Sequence, residues 1–152
     1  MARIELEMRV QAPPAACYAL ALNTQAHVDS ARATGERVVA GPVSGQLALG
    51  DMVTWEARHL GVRQRLTVRI TAAAPPHHFR DELVRGAFKT LRHDHYFEAI
   101  PGGTRVRDVF EFSSPLGIVG RWFDKLFLKN YLTQFLKVRN AALKQQLEAA
   151  VA

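Results

Sequence analysis

Two histidines one residue apart, His93 and His95, stand in the alternating run Leu91–Ile100. Alternation of period two puts residues i and i+2 on one face of a strand, about 6.5–7 Å apart along it. Both imidazoles therefore share a face with Phe97, while Asp94, Tyr96 and Glu98 take the other. Two further runs bring carboxylates into phase with an apolar face. His78–Arg85 places Asp81 with Phe79 and Leu83, and Thr104–Ser113 places Asp108 with Val106, Phe110 and Phe112. Met52–Leu60 adds His59 in line with Val53, Trp55 and Ala57. Imidazole beside carboxylate suits proton transfer near neutral pH. The same five groups can instead hydrogen-bond a ligand, or satisfy one another, since buried polar groups need partners. His93 and His95 with His59 or Asp81 would fill three positions of a metal site. Two histidines two apart on a strand is a common accidental pattern, and we expect neither a metal nor a cofactor.

The elements that must position these groups follow from the same periodicities. Arg3–Val10 alternates with Ile4, Leu6, Met8 and Val10 on one side. Pro13-Pro14 ends it, and proline suits a first helical turn, so a short helix is expected through Ala15–Leu22. Asn23 is placed to cap a second, Thr24–Ala31. Glu36–Ala40, Met52–Leu60, Arg63–Ala72, His78–Arg85, Leu91–Ile100 and Thr104–Ser113 then read as strands. Gly41-Pro42 and Gly45, Gly61, Pro75-Pro76, Gly86 and Pro101-Gly102-Gly103 punctuate them. After Ser114-Pro115 the period changes to that of a helix reaching about Ala150. Val119, Phe123, Leu126, Phe127, Leu132, Phe135 and Leu136 are expected on its inward face, with a bend near Lys129–Asn130 where the stripe drifts. Grouped strands with a terminal helix indicate an α+β fold with an antiparallel sheet of about seven strands, wrapped around the long helix.

Composition bounds the rest. A chain of 152 residues, 48% hydrophobic and 22% charged, suits one domain with its own core, 1–152. Its single cysteine, Cys17, excludes an intramolecular disulfide and a cysteine-rich zinc site and fits a reducing compartment. With no charged neighbour in sequence, it reads as a buried, inert thiol. MARIELEMRV lacks the apolar core of a signal peptide, and no window approaches a membrane span; a cytoplasmic location is expected. There is no Walker pattern, no G-x-G-x-x-G and no nucleophile elbow. The net charge is +6, and 15 of the 20 cations are arginine. By parity Arg63, Arg65, Arg69, Arg105 and Arg107 fall on the outer face of the sheet, where Glu56 and Glu111 can pair with them. Few aromatics interleave with them, which disfavours nucleic acid as a partner.

Several strings carry a family resemblance: VTWEARHLG at 53–61, PPHHFRDELVRGAF at 75–88, LRHDHYFE at 91–98, GTRVRDVFEFSSPLG at 103–117 and FDKLFLKNYLTQFLKVRNAALK at 123–144. With the order of elements they resemble the START-like helix-grip superfamily (SRPBCC), and within it the bacterial polyketide cyclase/dehydrase-type members. The resemblance covers nearly the whole chain. It implies a hydrophobic cavity between sheet and helix, in a superfamily of ligand carriers, cyclases and hydrolases. Trp55, Phe79, Phe97 and Phe110 would then wall the cavity around His59, Asp81, His93, His95 and Asp108, with Phe123 and Phe127 closing it from the helix. The primary expectation is a binding protein for a small hydrophobic or partly aromatic, lipid- or polyketide-like molecule. A cyclase or dehydrase using the His/Asp set as acid and base is the alternative. A further alternative is an acidic partner or nucleic acid on the basic outer face.

Overall fold

The structure, a computed structural model, describes residues 1–41 and 45–151; Pro42 of the expected loop at Gly41–Gly45 lies outside the described residues. Seven strands form one antiparallel sheet: β1 (Ala2–Val10), β2 (Arg37–Ala40), β3 (Met52–His59), β4 (Val62–Ala74), β5 (His78–Arg85), β6 (Thr90–Ile100) and β7 (Gly103–Ser113), in the spatial order β1-β7-β6-β5-β4-β3-β2. From β2 to β7 each strand pairs with the next. The pairing of β1 with β7 means that the segment between β1 and β2 carries the chain from one sheet edge to the other. That segment holds α1 (Pro14–Ala21) and α2 (Thr24–Ser30). Pro14 occupies the first turn of α1, and the Asn23 side chain accepts a hydrogen bond from the Ala26 backbone N–H at 2.9 Å to start α2. Gly103, at the β6–β7 turn, must be glycine because a Cβ there would lie 2.0 Å from the Val10 carbonyl oxygen.

The curved sheet is two-faced, as the alternation requires. Inward lie Val53, Val68, Ile70, Phe79, Phe97, Val106, Phe110 and Phe112, all buried. Outward, carboxylates are gathered by arginines. Glu56 accepts hydrogen bonds from Arg37 (2.6 Å) and Arg65 (2.8 Å), which hold its carboxyl below the usual range. Asp94 is bound by His78 at 2.7 Å and Arg80 at 2.8 Å, and Glu111 by Arg92 at 2.8 Å. The outer face is a lattice of ion pairs across strands.

The C-terminal helical run consists of α3 (Gly117–Phe123), a π turn (Asp124–Leu128) and α4 (Lys129–Val151). Along α4, Leu132, Leu136, Leu143 and Leu147 are buried against the sheet. Before it the expected helix phase is overturned. Val119, Phe123, Leu126 and Phe127 do not face the sheet but are exposed, Phe123 at 44% and Leu126 at 66%. Trp122 is likewise outward, 61% exposed. The inward positions are instead Gly120, Asp124 and Leu128, four residues apart. The cause is a polar staple. Asp124 accepts a 2.8 Å hydrogen bond from the Ser114 backbone N–H and another from its hydroxyl, and Gly120 leaves room for Ser114, whose Cβ and carbonyl oxygen would lie 3.3 Å from a Cβ there. Turning Asp124 inward turns the aromatics outward. The π turn then adds a residue to one turn of helix and restores the leucine stripe of α4, close to the expected bend at Lys129–Asn130.

Candidate functional site

Strand register assembles the polar cluster on β5, β6 and β7. One row across the sheet reads Asp81–His93–Phe110 and the next reads Phe79–His95–Asp108. The two carboxylates occupy opposite corners, and both histidines stand on the middle strand. Their rings lie with centroids 3.8 Å apart. His95 Nε2 donates to Asp81 Oδ2 at 2.9 Å, and its Nδ1 lies 3.1 Å from Asp108 Oδ1 as an ion-pair contact. His93 Nε2 donates to Asp108 Oδ1 at 3.2 Å. From α4, Asn140 Nδ2 donates to Asp108 Oδ2 at 2.6 Å. His95 also stacks on Phe79, centroids 4.1 Å apart.

This geometry fixes the charges. Burial opposes a charged His95, but hydrogen bonds to Asp108 and Asp81 outweigh it and raise the imidazole to about 9. A ring with a carboxylate close to each nitrogen is held as an imidazolium. Burial likewise opposes an ionised Asp108, yet His93 and His95 hold it well below the usual carboxylate range. Asp81 is held down as well, burial being outweighed by His95 and His93. His93 moves the other way: burial, then the positive charge of His95, lower it despite Asp108. The cluster is thus an imidazolium between two carboxylates, with a neutral imidazole alongside.

His59 stands apart from the other four. Its Nδ1 is 2.8 Å from the Tyr131 hydroxyl, and its ring meets Phe135 edge to face at 5.0 Å. Burial lowers its pKa.

Between the inner face and α4 lies a cavity of about 160 Å³. Trp55, Phe79 and Phe110 wall it, and His59, Asp81 and His93 give it polar points. His95, Phe97 and Asp108 line a separate, smaller space of about 30 Å³. Phe123 and Phe127, expected at the cavity, line neither and point outward. The helix contributes Leu128, Tyr131, Phe135 and Arg139 in their place. The larger cavity reaches exposed Leu60 and Ala87, so it opens at the end of the sheet where β3 and β5 finish.

Sequence reasoning missed the far wall. Arg139 donates to Nδ1 of His27, whose Nε2 donates to the Ala21 carbonyl oxygen. Burial and then Arg139 push His27 well below its ordinary pKa, so it is neutral. Glu36 also lines this wall, and burial raises its carboxyl pKa. One signal was available for Asn140, a polar residue four positions after Leu136 and three before Leu143 on the buried stripe. Asp81, His93 and His95 present one ligand atom each within 4.8 Å of one another, so they have the spacing of a metal triad. In this structure Asp81 and His95 are hydrogen-bonded to each other, and His93 is hydrogen-bonded to Asp108. Cys17 is buried, and burial raises its thiol pKa, which leaves it unreactive.

Residues 1–148 match the family described as polyketide cyclase / dehydrase and lipid transport. No curated protein matches the chain. Among solved structures, a protein of Thermus thermophilus superposes with a TM-score of 0.80 at 19% identity, covering 99% of this chain and 100% of that one. A START superfamily protein from Mycobacterium smegmatis gives 0.73 at 13% identity, covering 97% and 98%. The ginseng (Panax ginseng) major latex-like protein 151 gives 0.69 at 12% identity, covering 96% and 97%. At these identities the structural likeness is one of fold.

Proposed function

The chain belongs to the polyketide cyclase/dehydrase and lipid transport family, and from that premise we propose that it binds a small hydrophobic or partly aromatic molecule, lipid- or polyketide-like, between the sheet and α4. The observation that carries this reading is the cavity of about 160 Å³, with its aromatic wall and few polar points. Such a mixture is typical of ligand pockets, and an apolar cavity of roughly 150 Å³ already admits benzene. Trp55, Phe79 and Phe110 supply contact area, and His59, Asp81, His93 and Arg139 supply orientation. His95 and Asp108 act from behind by fixing His93 and Asp81. In this reading residues 1–152 work as one domain in the cytoplasm and need no cofactor.

The protein has two tryptophans, and only Trp55 lines the cavity. A Trp122→Phe variant therefore reports on the cavity alone. Titrated with 2-naphthol, it should show saturable one-to-one quenching of Trp55. A response that never saturates, like that of a free tryptophan derivative, would overturn the reading.

A cyclase or dehydrase is the second reading. One observation favours it: His93, kept neutral by burial and by His95, lines the cavity. His95 is unsuited to be the base because each of its nitrogens already faces a carboxylate. Faster aldol cyclisation of a synthetic poly-β-ketone, lost in His93→Gln, would favour the enzyme over the carrier.

A further inference from the structure

The most anomalous surface of the molecule is the outer side of α3 and the π turn, where Trp122, Phe123, Leu126 and Phe127 are all exposed. Proteins rarely leave so many large apolar side chains together in water without an interaction to make. The same end of the molecule carries exposed Leu60 and Val62 at the β3–β4 turn. Two contacts tie these parts together: Lys89 N donates to the Ser113 carbonyl oxygen at 2.8 Å beside the start of α3, and His59 meets Tyr131 at the start of α4. The cavity opens at this end too, past Leu60, Ala87 and Leu128.

Charge identifies what covers the patch. Exposed Arg121, Lys125 and Lys129 are interspersed with the aromatics. Between Glu111 and Glu148 the chain has a single acid, Asp124, and it is buried on Ser114. Arg58, Arg63, Arg85 and Lys89 add exposed cations at the neighbouring turns. A second copy of the chain would bring this cationic face against itself. An anionic bilayer surface complements it in both respects, with acyl chains for the tryptophan and phenylalanines and headgroup phosphates for the lysines and arginine. Among the described residues no helix is long and apolar enough to cross a membrane, and the contact proposed is a peripheral one.

We propose that this end of the protein docks on anionic lipid bilayers through the outer face of residues 116–129, with the cavity mouth turned toward the membrane. This goes beyond ligand binding and does not depend on it. The test uses the full chain carrying Trp55→Phe, so that Trp122 is the sole emitter, with vesicles of phosphatidylcholine alone or with 30% phosphatidylglycerol. The expected result is a blue shift of Trp122 and at least tenfold tighter partitioning onto the anionic vesicles, weakened by salt. Leu126→Glu with Phe127→Glu should abolish it, and Lys125→Glu should weaken it severalfold. Both changes lie on the exposed face, so an unchanged melting temperature and unchanged 2-naphthol quenching in the Trp122→Phe background confirm intact folding and an intact cavity. Partitioning that is absent, or equal in the double glutamate variant, would overturn the proposal. So would light scattering that shows a dimer abolished by that same variant without vesicles, since the patch would then be a self-interface. Loss of naphthol binding alone would count against the cavity reading and leave the docking result standing.

Discussion

The inner face of β5–β7 buries ionisable groups, whereas the outer face of residues 116–129 exposes apolar ones. Each inverts the usual partition, and they differ in what completes them. Every member of the sheet cluster finds its partner within the chain: His95 has two carboxylates, and Asp108 has two imidazoles and Asn140. Trp122, Phe123, Leu126 and Phe127 remain exposed. The first inversion supports a fold and shapes a cavity. The second is complete only with something outside the chain. Mutation should separate them, with large stability effects in the first region and small ones in the second.

The largest effect is expected at Asp108. Asp108→Ala removes the acceptor of two hydrogen bonds and leaves a buried imidazolium half-paired, at a cost of about 3–5 kcal/mol, measurable by urea unfolding. The helix provides an internal control. Leu136, 2% exposed, should cost about 2–5 kcal/mol as Leu136→Ala. Leu126→Ala, ten residues earlier, should stay within about 0.5 kcal/mol. Equal losses at the two leucines would mean that the helix phase before the π turn is wrong.

The cluster also predicts a pH profile with a maximum near 6.5. His95 titrates at about 9 in the fold against roughly 6.5 unfolded. Its contribution is complete below 6.5 and is lost as pH rises through 9. The amount is on the order of 3 kcal/mol. His93, lowered in the fold, costs stability as pH falls below 6.5. Asp81 and Asp108, also lowered, contribute above about 3.9 and lose that contribution as pH falls through their folded values. Unfolding free energies from pH 5 to 10 should show the alkaline loss in wild type and not in His95→Gln. The smallest effect concerns the outer helix face: Phe123→Asp should change the melting temperature by no more than a degree or two.

These contrasts also show which parts of the fold were legible in the sequence. Strand parity placed His93, His95, Asp81 and Asp108 on one face because a period of two leaves only two faces to choose between, and Phe79, Phe97 and Phe110 marked the buried one. The antiparallel sheet followed from the grouped strands, whereas the pairing of β1 with β7 has no local signal. The helix was harder because its apolar stripe reads alike whether it faces inward or outward. The deciding contact, Asp124 on Ser114, spans ten residues and has no periodic signature. The resulting error put Phe123 and Phe127 in the cavity and left out Arg139 and Tyr131. His27 and Glu36 were missed for another reason: both lie in short, weakly patterned segments that meet the cavity only through tertiary packing.

The central claim is that the space between sheet and α4 is the binding site, and a bromine atom can locate it. Crystals of the protein grown with 6-bromo-2-naphthol should give one anomalous bromine peak among Trp55, His93 and Phe110. A peak confined to the outer face around Trp122 and Phe127, with the interior empty, would contradict the account.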